Sequence, residues 1–138
     1  NCKNKFGLFG QRIFGKCIKV IDGDSICIAI CYPDIDSVCK VNLRLYGIDT
    51  PEKSSSDPKE KQAALDCKTF VTELILNQFI WIQFENQADK YGRWLATLYH
   101  HDQLDFDPKY SINQKILLNP NLHCKPYFGN KKESWSFE

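Results

Sequence analysis

Cys39-Lys40-Val41-Asn42-Leu43-Arg44-Leu45-Tyr46-Gly47-Ile48-Asp49-Thr50-Pro51-Glu52 is the stretch on which the fold turns. In its first half Cys39, Val41, Leu43 and Leu45 fall on one face, the period-two signature of a strand with one buried side. Upstream, Ile13 to Ile21 reads as a strand closed by the turn Asp22-Gly23-Asp24, and Ser25 to Tyr32 as a β-branched, apolar second strand. The polar, acidic Pro33 to Ser37 returns the chain to Cys39–Tyr46, so the first third of the chain predicts a three-stranded meander. Downstream, Lys53 to Pro58 is a loop with three serines and a proline. A helix then starts at Pro58. Asp57 can cap it, Pro58 suits its first position, and Glu60 completes a capping box. Ala63, Cys67, Phe70, Val71 and Leu74 recur at helical spacing and predict one face packed on the sheet, and Asn77 marks the stop. Phe79 to Glu85 and Trp94 to Tyr99 read as the fourth and fifth strands, joined by the turn Asp89 to Arg93. Ile112 to Leu118 is a shorter helix, and from Asn119 onward the pattern is irregular. Three strands, a helix and two strands is the order of a five-stranded OB-fold barrel, an α+β architecture with two or three packed helices.

With 138 residues the chain suits one domain with a real core. Its expected organisation is a leader over 1–12 with two exposed-looking phenylalanines, the barrel domain over 13–129, and a tail over 130–138. The longest apolar runs are far shorter than a membrane span. The chain begins at Asn1 with no signal-peptide pattern, as an excised domain or processed form would, so no compartment is readable from it. A monomer is the expected state. Net charge is only +1, a weak footprint for a nucleic-acid binder. A local basic and aromatic patch exists at Lys125, Tyr127, Phe128, Lys131 and Lys132. Seven cysteines, an odd number, argue against a fully paired disulfide framework. Buried reduced thiols are the favoured reading, with one or two disulfides as an alternative. A zinc site is disfavoured because Cys-x-x-Cys is missing.

Chemistry gathers where strands end. Asp24 follows the first strand and Asp49 the third, so adjoining strand ends can bring two hard carboxylates to one divalent cation, with a carbonyl near Thr50 as a further oxygen. Asp-Gly is equally a hairpin signal, and taken alone Asp22-Gly23-Asp24 needs no other role. Glu52, three residues past Asp49, can reach a metal-adjacent water as a general base or orient it; a solvated loop glutamate is the plainer alternative. Arg44 and Arg93 suit the charge that builds on phosphoryl oxygens when a phosphodiester is displaced. Either could instead be a surface ion-pair partner, but Arg44 is flanked by Val41, Leu43 and Leu45 on the other face of an apolar strand. Lys90, Tyr91 and Tyr127 are weaker candidates for phosphate contact and base stacking. His100-His101 has no metal-ligand spacing, no serine or cysteine triad can be argued from spacing, and no Gly-rich phosphate loop is present.

Together, Asp22-Gly23-Asp24, the Arg44 to Glu52 stretch and Asp89-Lys90-Tyr91-Gly92-Arg93 resemble, in order and spacing, the staphylococcal nuclease family, from about Ile13 to Tyr127. The resemblance implies Ca2+ ligation by Asp24, Asp49 and the Thr50 carbonyl, and a water-activating Glu52. It also implies phosphate-binding Arg44 and Arg93, and nucleotide contacts at Lys90, Tyr91 and Tyr127. Calcium is preferred to magnesium on this ground alone. The implied activity is endonucleolytic hydrolysis of single-stranded DNA and RNA with little sequence preference. Water attacks phosphorus, the 5′ oxygen departs and 3′-phosphates remain. Ser25 stands where the family usually has threonine, the Lys53 to Pro58 loop looks short, and the residues after Gly129 are too few for the family's long final helix. The competing readings are a catalytically inactive module of the same fold that binds nucleic acid or protein, and a plain OB-type interaction domain.

Overall fold

The computed structural model describes residues 7–31 and 37–128. Its elements are β1 (Arg12–Asp22), β2 (Ser25–Cys31), β3 (Val38–Leu45), β4 (Gly47–Asp49), α1 (Pro58–Ile75), β5 (Phe79–Ala88), β6 (Trp94–His100), a 3-10 turn (Pro108–Tyr110), α2 (Ile112–Leu118) and β7 (Lys125–Tyr127). Five strands close into a barrel in the order β1-β2-β3-β6-β5. The antiparallel β1–β2, β2–β3 and β5–β6 ladders join strands consecutive in the barrel's chain order, β1 and β5 pair antiparallel at long range, and β3 and β6 pair in parallel, Arg44 opposite Leu95. The α+β, OB-type barrel with two helices is thus the observed fold. Alternation along the strands sends Ile26, Ile28, Ile30, Leu43, Leu45, Ile80, Ile82 and Leu98 inward to a single core. Such burial is the main force holding the barrel shut.

The first helix forms for the reasons its sequence offers, with one correction. The Asp57 side chain accepts from the Lys59 amide at 2.9 Å, and Pro58 opens the helix. The expected capping box does not close. Asp57 N–H donates instead to Ser55 Oγ, and Glu60 Oε2 accepts from the Glu52 amide at 2.9 Å. The Glu60 carboxylate therefore ties the helix start to the loop that carries Glu52. The buried stripe is Ala63, Ala64, Cys67, Val71 and Ile75, with Phe70 and Leu74 packed at its margin. Asn77 ends the run in the left-handed region at φ 62°, and its amide donates to the Cys17 carbonyl, fixing α1 to β1. The helix comes so close to the β1–β2 turn that a Cβ on Gly23 would lie 2.7 Å from the Cys67 Cβ, so only glycine fits there.

Other expectations change as well. Leu8 is fully buried and Phe9 is half-buried with its ring 4.7 Å from Trp94, so this part of the leader belongs to the core rather than standing exposed. The stretch after Asn119 is not wholly irregular: β7 pairs antiparallel with β4 and forms a small second sheet beside the barrel. Among the described cysteines Cys17, Cys39 and Cys67 are buried, whereas Cys31 is exposed on the outer face of β2, so the buried-thiol reading fails there. No disulfide joins the described cysteines, although Cys67 Sγ and Cys124 Sγ approach to 3.5 Å. Phe6, Cys2, Tyr32, the turn at 33–36, Lys131, Lys132 and the tail over 130–138 lie outside the described residues.

Candidate active site

Arg44 lies at the centre of the site. Its neighbours Leu43 and Leu45 are fixed in the core, so the strand period turns Arg44 to the outer face. There it is nonetheless buried, at 7% exposure. Nη2 donates to the Ile48 carbonyl at 3.2 Å and lies 3.5 Å from both Asp24 Oδ2 and Asp49 Oδ1. The Tyr127 ring, brought in by the β4–β7 pairing, faces the guanidinium at 5.0 Å. Asp24 is placed by the β1–β2 turn, and its carbonyl accepts from the Leu45 amide at 2.8 Å, which locks that turn onto β3. Asp49 ends β4 and is almost fully buried, as is Thr50 beside it. One arginine thus holds two carboxylates that the chain order separates by two dozen residues.

The second basic group sits on the β5–β6 turn. Asp89 organises it: Oδ1 accepts from the Tyr91 amide at 2.9 Å and from the Arg93 amide at 2.8 Å, and Oδ2 accepts from Arg93 Nε at 2.6 Å. Gly92 supplies the positive φ of 79° that the turn requires. Partial burial raises the Asp89 carboxyl, but hydrogen bonds from Arg93 and Tyr91, with the arginine charge, outweigh it and leave the pKa below its ordinary value. Tyr91 is exposed and lies between two cations, Lys90 Nζ at 5.2 Å and the Arg93 guanidinium at 5.7 Å from its ring.

Two adjoining clefts result. A polar one of about 290 Å³ is lined by Asp24, Arg44, Thr50, Glu52, Tyr91 and Arg93. A more apolar one of about 360 Å³ is lined by Arg44, Lys90, Tyr91, Arg93, Tyr127 and Phe128. Arg44, Tyr91 and Arg93 form the shared wall. Of the residues singled out from sequence, all but Asp49 open onto one cleft or the other, and Asp49 stands behind Arg44. Glu52 is exposed at the rim of the polar cleft, its backbone held by Glu60.

Among the described residues no three His, Cys, Asp or Glu side chains are grouped as metal ligands. The donor chemistry is that of a hard-cation site: two carboxylates close to one arginine, with Thr50 following Asp49 in the chain. A softer metal would find no imidazole or thiolate set here.

Sequence reasoning passed over the parts that Asp89, Tyr46 and Asn113 play. Asp89 was read only as part of a turn, although an aspartate followed by Gly92 at the turn's end is the usual mark of side-chain-to-backbone bonding. Tyr46 packs edge to face on Phe128 at 5.3 Å on the cleft wall, a contact between residues far apart in sequence with no local signal. Asn113 on α2 accepts from the Leu98 amide at 2.9 Å and donates to the Tyr46 carbonyl at 2.8 Å and the Ala96 carbonyl at 3.1 Å. It thereby holds the crossing of β3 and β6 beneath the site.

Comparison with known proteins shows the family to which this sequence is similar. The family described as Staphylococcal nuclease homologue matches residues 42–119. A thermonuclease of Staphylococcus hyicus is 33% identical over 85% of this chain and 62% of its own length. An uncharacterised protein of Methanocaldococcus jannaschii is 30% identical over 64% of this chain and 49% of its own. The chain therefore spans only about half to three-fifths of these relatives.

Proposed function

The chain belongs to the staphylococcal nuclease homologue family, and from that premise we propose that it is a Ca2+-dependent endonuclease. Its substrates are single-stranded DNA and RNA, cleaved with departure of the 5′ oxygen to leave 3′-phosphates. One observation carries the reading: Arg44 lies 3.5 Å from both Asp24 and Asp49, and it lines a cleft together with Asp24, Glu52 and Arg93.

Asp24, Asp49 and the Thr50 carbonyl would hold the calcium ion, which when bound supplies positive charge to a phosphoryl oxygen. Glu52, at the open rim, accepts a proton from the attacking water or fixes its orientation. Arg44 offers N–H groups to a non-bridging oxygen. Such a donor gains most where charge develops in the transition state. Arg93, half-exposed and aimed by Asp89, approaches the phosphate from the β5–β6 side and supports the departing oxygen. Tyr91, Lys90 and Tyr127 line the apolar cleft, where a base can stack while its phosphate faces the arginines.

A labelled DNA oligomer incubated in calcium or in chelator tests this, with Arg93→Ala as the control for contaminating activity. Calcium-dependent cleavage that disappears in the variant is the expected result. Binding without cleavage in calcium, magnesium or manganese would instead assign the fold to a non-catalytic module.

A further inference from the structure

Far from the clefts, the outer face of the β1–β5 ladder carries aromatics and cations where a closed barrel would ordinarily show small polar groups. Phe14 lies opposite Trp81, Lys16 opposite Phe79, and Arg12 opposite Gln83. The Phe14 and Phe79 rings stack at 5.6 Å with only 11° between their planes, and they remain 41% and 54% exposed. Trp81 closes on Phe14 at 4.8 Å and on Phe106 at 6.0 Å. Lys16 Nζ lies 5.8 Å from the Phe79 ring and the Arg12 guanidinium 3.8 Å from that of Phe106. Lys40 extends the cationic row, since Lys16 pairs with Ala29 and Ala29 with Lys40. None of these groups lines either cleft.

We propose that this face is a second binding surface for single-stranded nucleic acid, which holds a long substrate while another part of it is cut. Flat exposed rings beside cations match the two recurring chemical features of such a strand, stackable bases and phosphates. A purely apolar partner would leave Lys16 and Arg12 desolvated. Asp105 and Asp107 flank Phe106 in the chain, so the phosphates follow the Lys16 and Lys40 side rather than the Phe106 end. Phe14 precedes Asp22 by eight residues of one strand, a separation of roughly 26 Å at about 3.3 Å per residue. Only an extended substrate spans both places. The inference rests on the proposed nuclease function for its purpose, but its binding claim stands apart from it.

The test measures affinity for a fluorescent thirty-nucleotide oligo-dT in chelator, and cleavage of a dinucleotide in calcium, for wild type, Phe79→Thr and Lys16→Gln. Phe79 is exposed on a strand, where threonine is well accommodated, and thermal melting checks the fold. Phe79→Thr is expected to lose roughly tenfold in oligomer affinity. Lys16→Gln is expected to lower the log–log salt slope by about 0.7. Dinucleotide cleavage should be unchanged in both. Unaltered oligomer affinity and salt slope in both variants would overturn the proposal. So would a wild-type dimer in size-exclusion chromatography that Phe79→Thr renders monomeric, because the face would then belong to a second copy. If the variants lose oligomer affinity but wild type cuts nothing, the surface stands and the nuclease reading falls.

Discussion

At the scale of single residues, Arg44 is both a site group and a structural one. As an arginine flanked by apolar residues on the other face of its strand, it stood out in the sequence as a candidate phosphate clamp. Its burial between Asp24 and Asp49 did not, because that depends on a turn and a strand end far away in sequence. Removing it leaves two shielded carboxylates without their cation, a change that typically costs more than the intact pair contributes. Arg44→Ala is therefore expected to lower unfolding free energy in chelator by about 3 kcal/mol in urea titrations, as well as abolishing turnover. Wild-type stability in that variant would show the carboxylates to be indifferent to the arginine. Glu52 is the opposite case, exposed and held only through its backbone. Glu52→Gln should preserve stability and oligomer affinity while slowing single-turnover cleavage; an unaltered single-turnover rate would remove it from the mechanism.

At the scale of elements, the β5–β6 turn makes a pH-dependent claim. The Asp89 carboxyl titrates below its ordinary value of 3.8 in the folded chain. Its contribution is thus fully present above that ordinary value and fades as pH falls through the lower, folded one. The stability difference between wild type and Asp89→Asn should be constant from neutral pH down to about pH 5 and shrink in stronger acid. A difference that grew on acidification would reverse the assignment. The same variant should cut slowly, since nothing else aims Arg93 so directly. On α2, Asn113→Ala takes the Asn113 partner from the Leu98 amide and the Tyr46 carbonyl, while the Ala96 carbonyl keeps the Tyr46 amide at 2.8 Å, and should cost roughly 3 kcal/mol. Most elements were readable because their signals are local: alternation for strands, Asp57-Pro58 for the start of α1, Asn77 for its end. Glu60 defeated the capping-box rule because the nearby Glu52 amide took its carboxylate first. The short strands β4 and β7 carry no pattern of their own and exist only because they pair.

For the whole molecule, closure of the barrel is what converts sequence order into a site. Parallel pairing of β3 with β6 sets the Arg44 strand beside the strand that leaves the Arg93 turn, and β7 laid on β4 brings Tyr127 over Arg44. No window of sequence contains those pairings, yet the order of elements together with three short motifs was enough to anticipate the barrel and the cluster on it. The burial of Leu8 and Phe9 was missed because a lone apolar pair between two glycines carries no strand or helix period to reveal the core it enters. The most direct measurement is cleavage of labelled single-stranded DNA, in calcium and in chelator, by wild type and by Arg93→Ala, whose exposed side chain can be removed without disturbing the core. Calcium-dependent cleavage that falls by roughly a hundredfold or more in the variant is the result expected. Equal cleavage by both proteins, or none by wild type in calcium, would contradict the assignment of this cleft to phosphodiester hydrolysis.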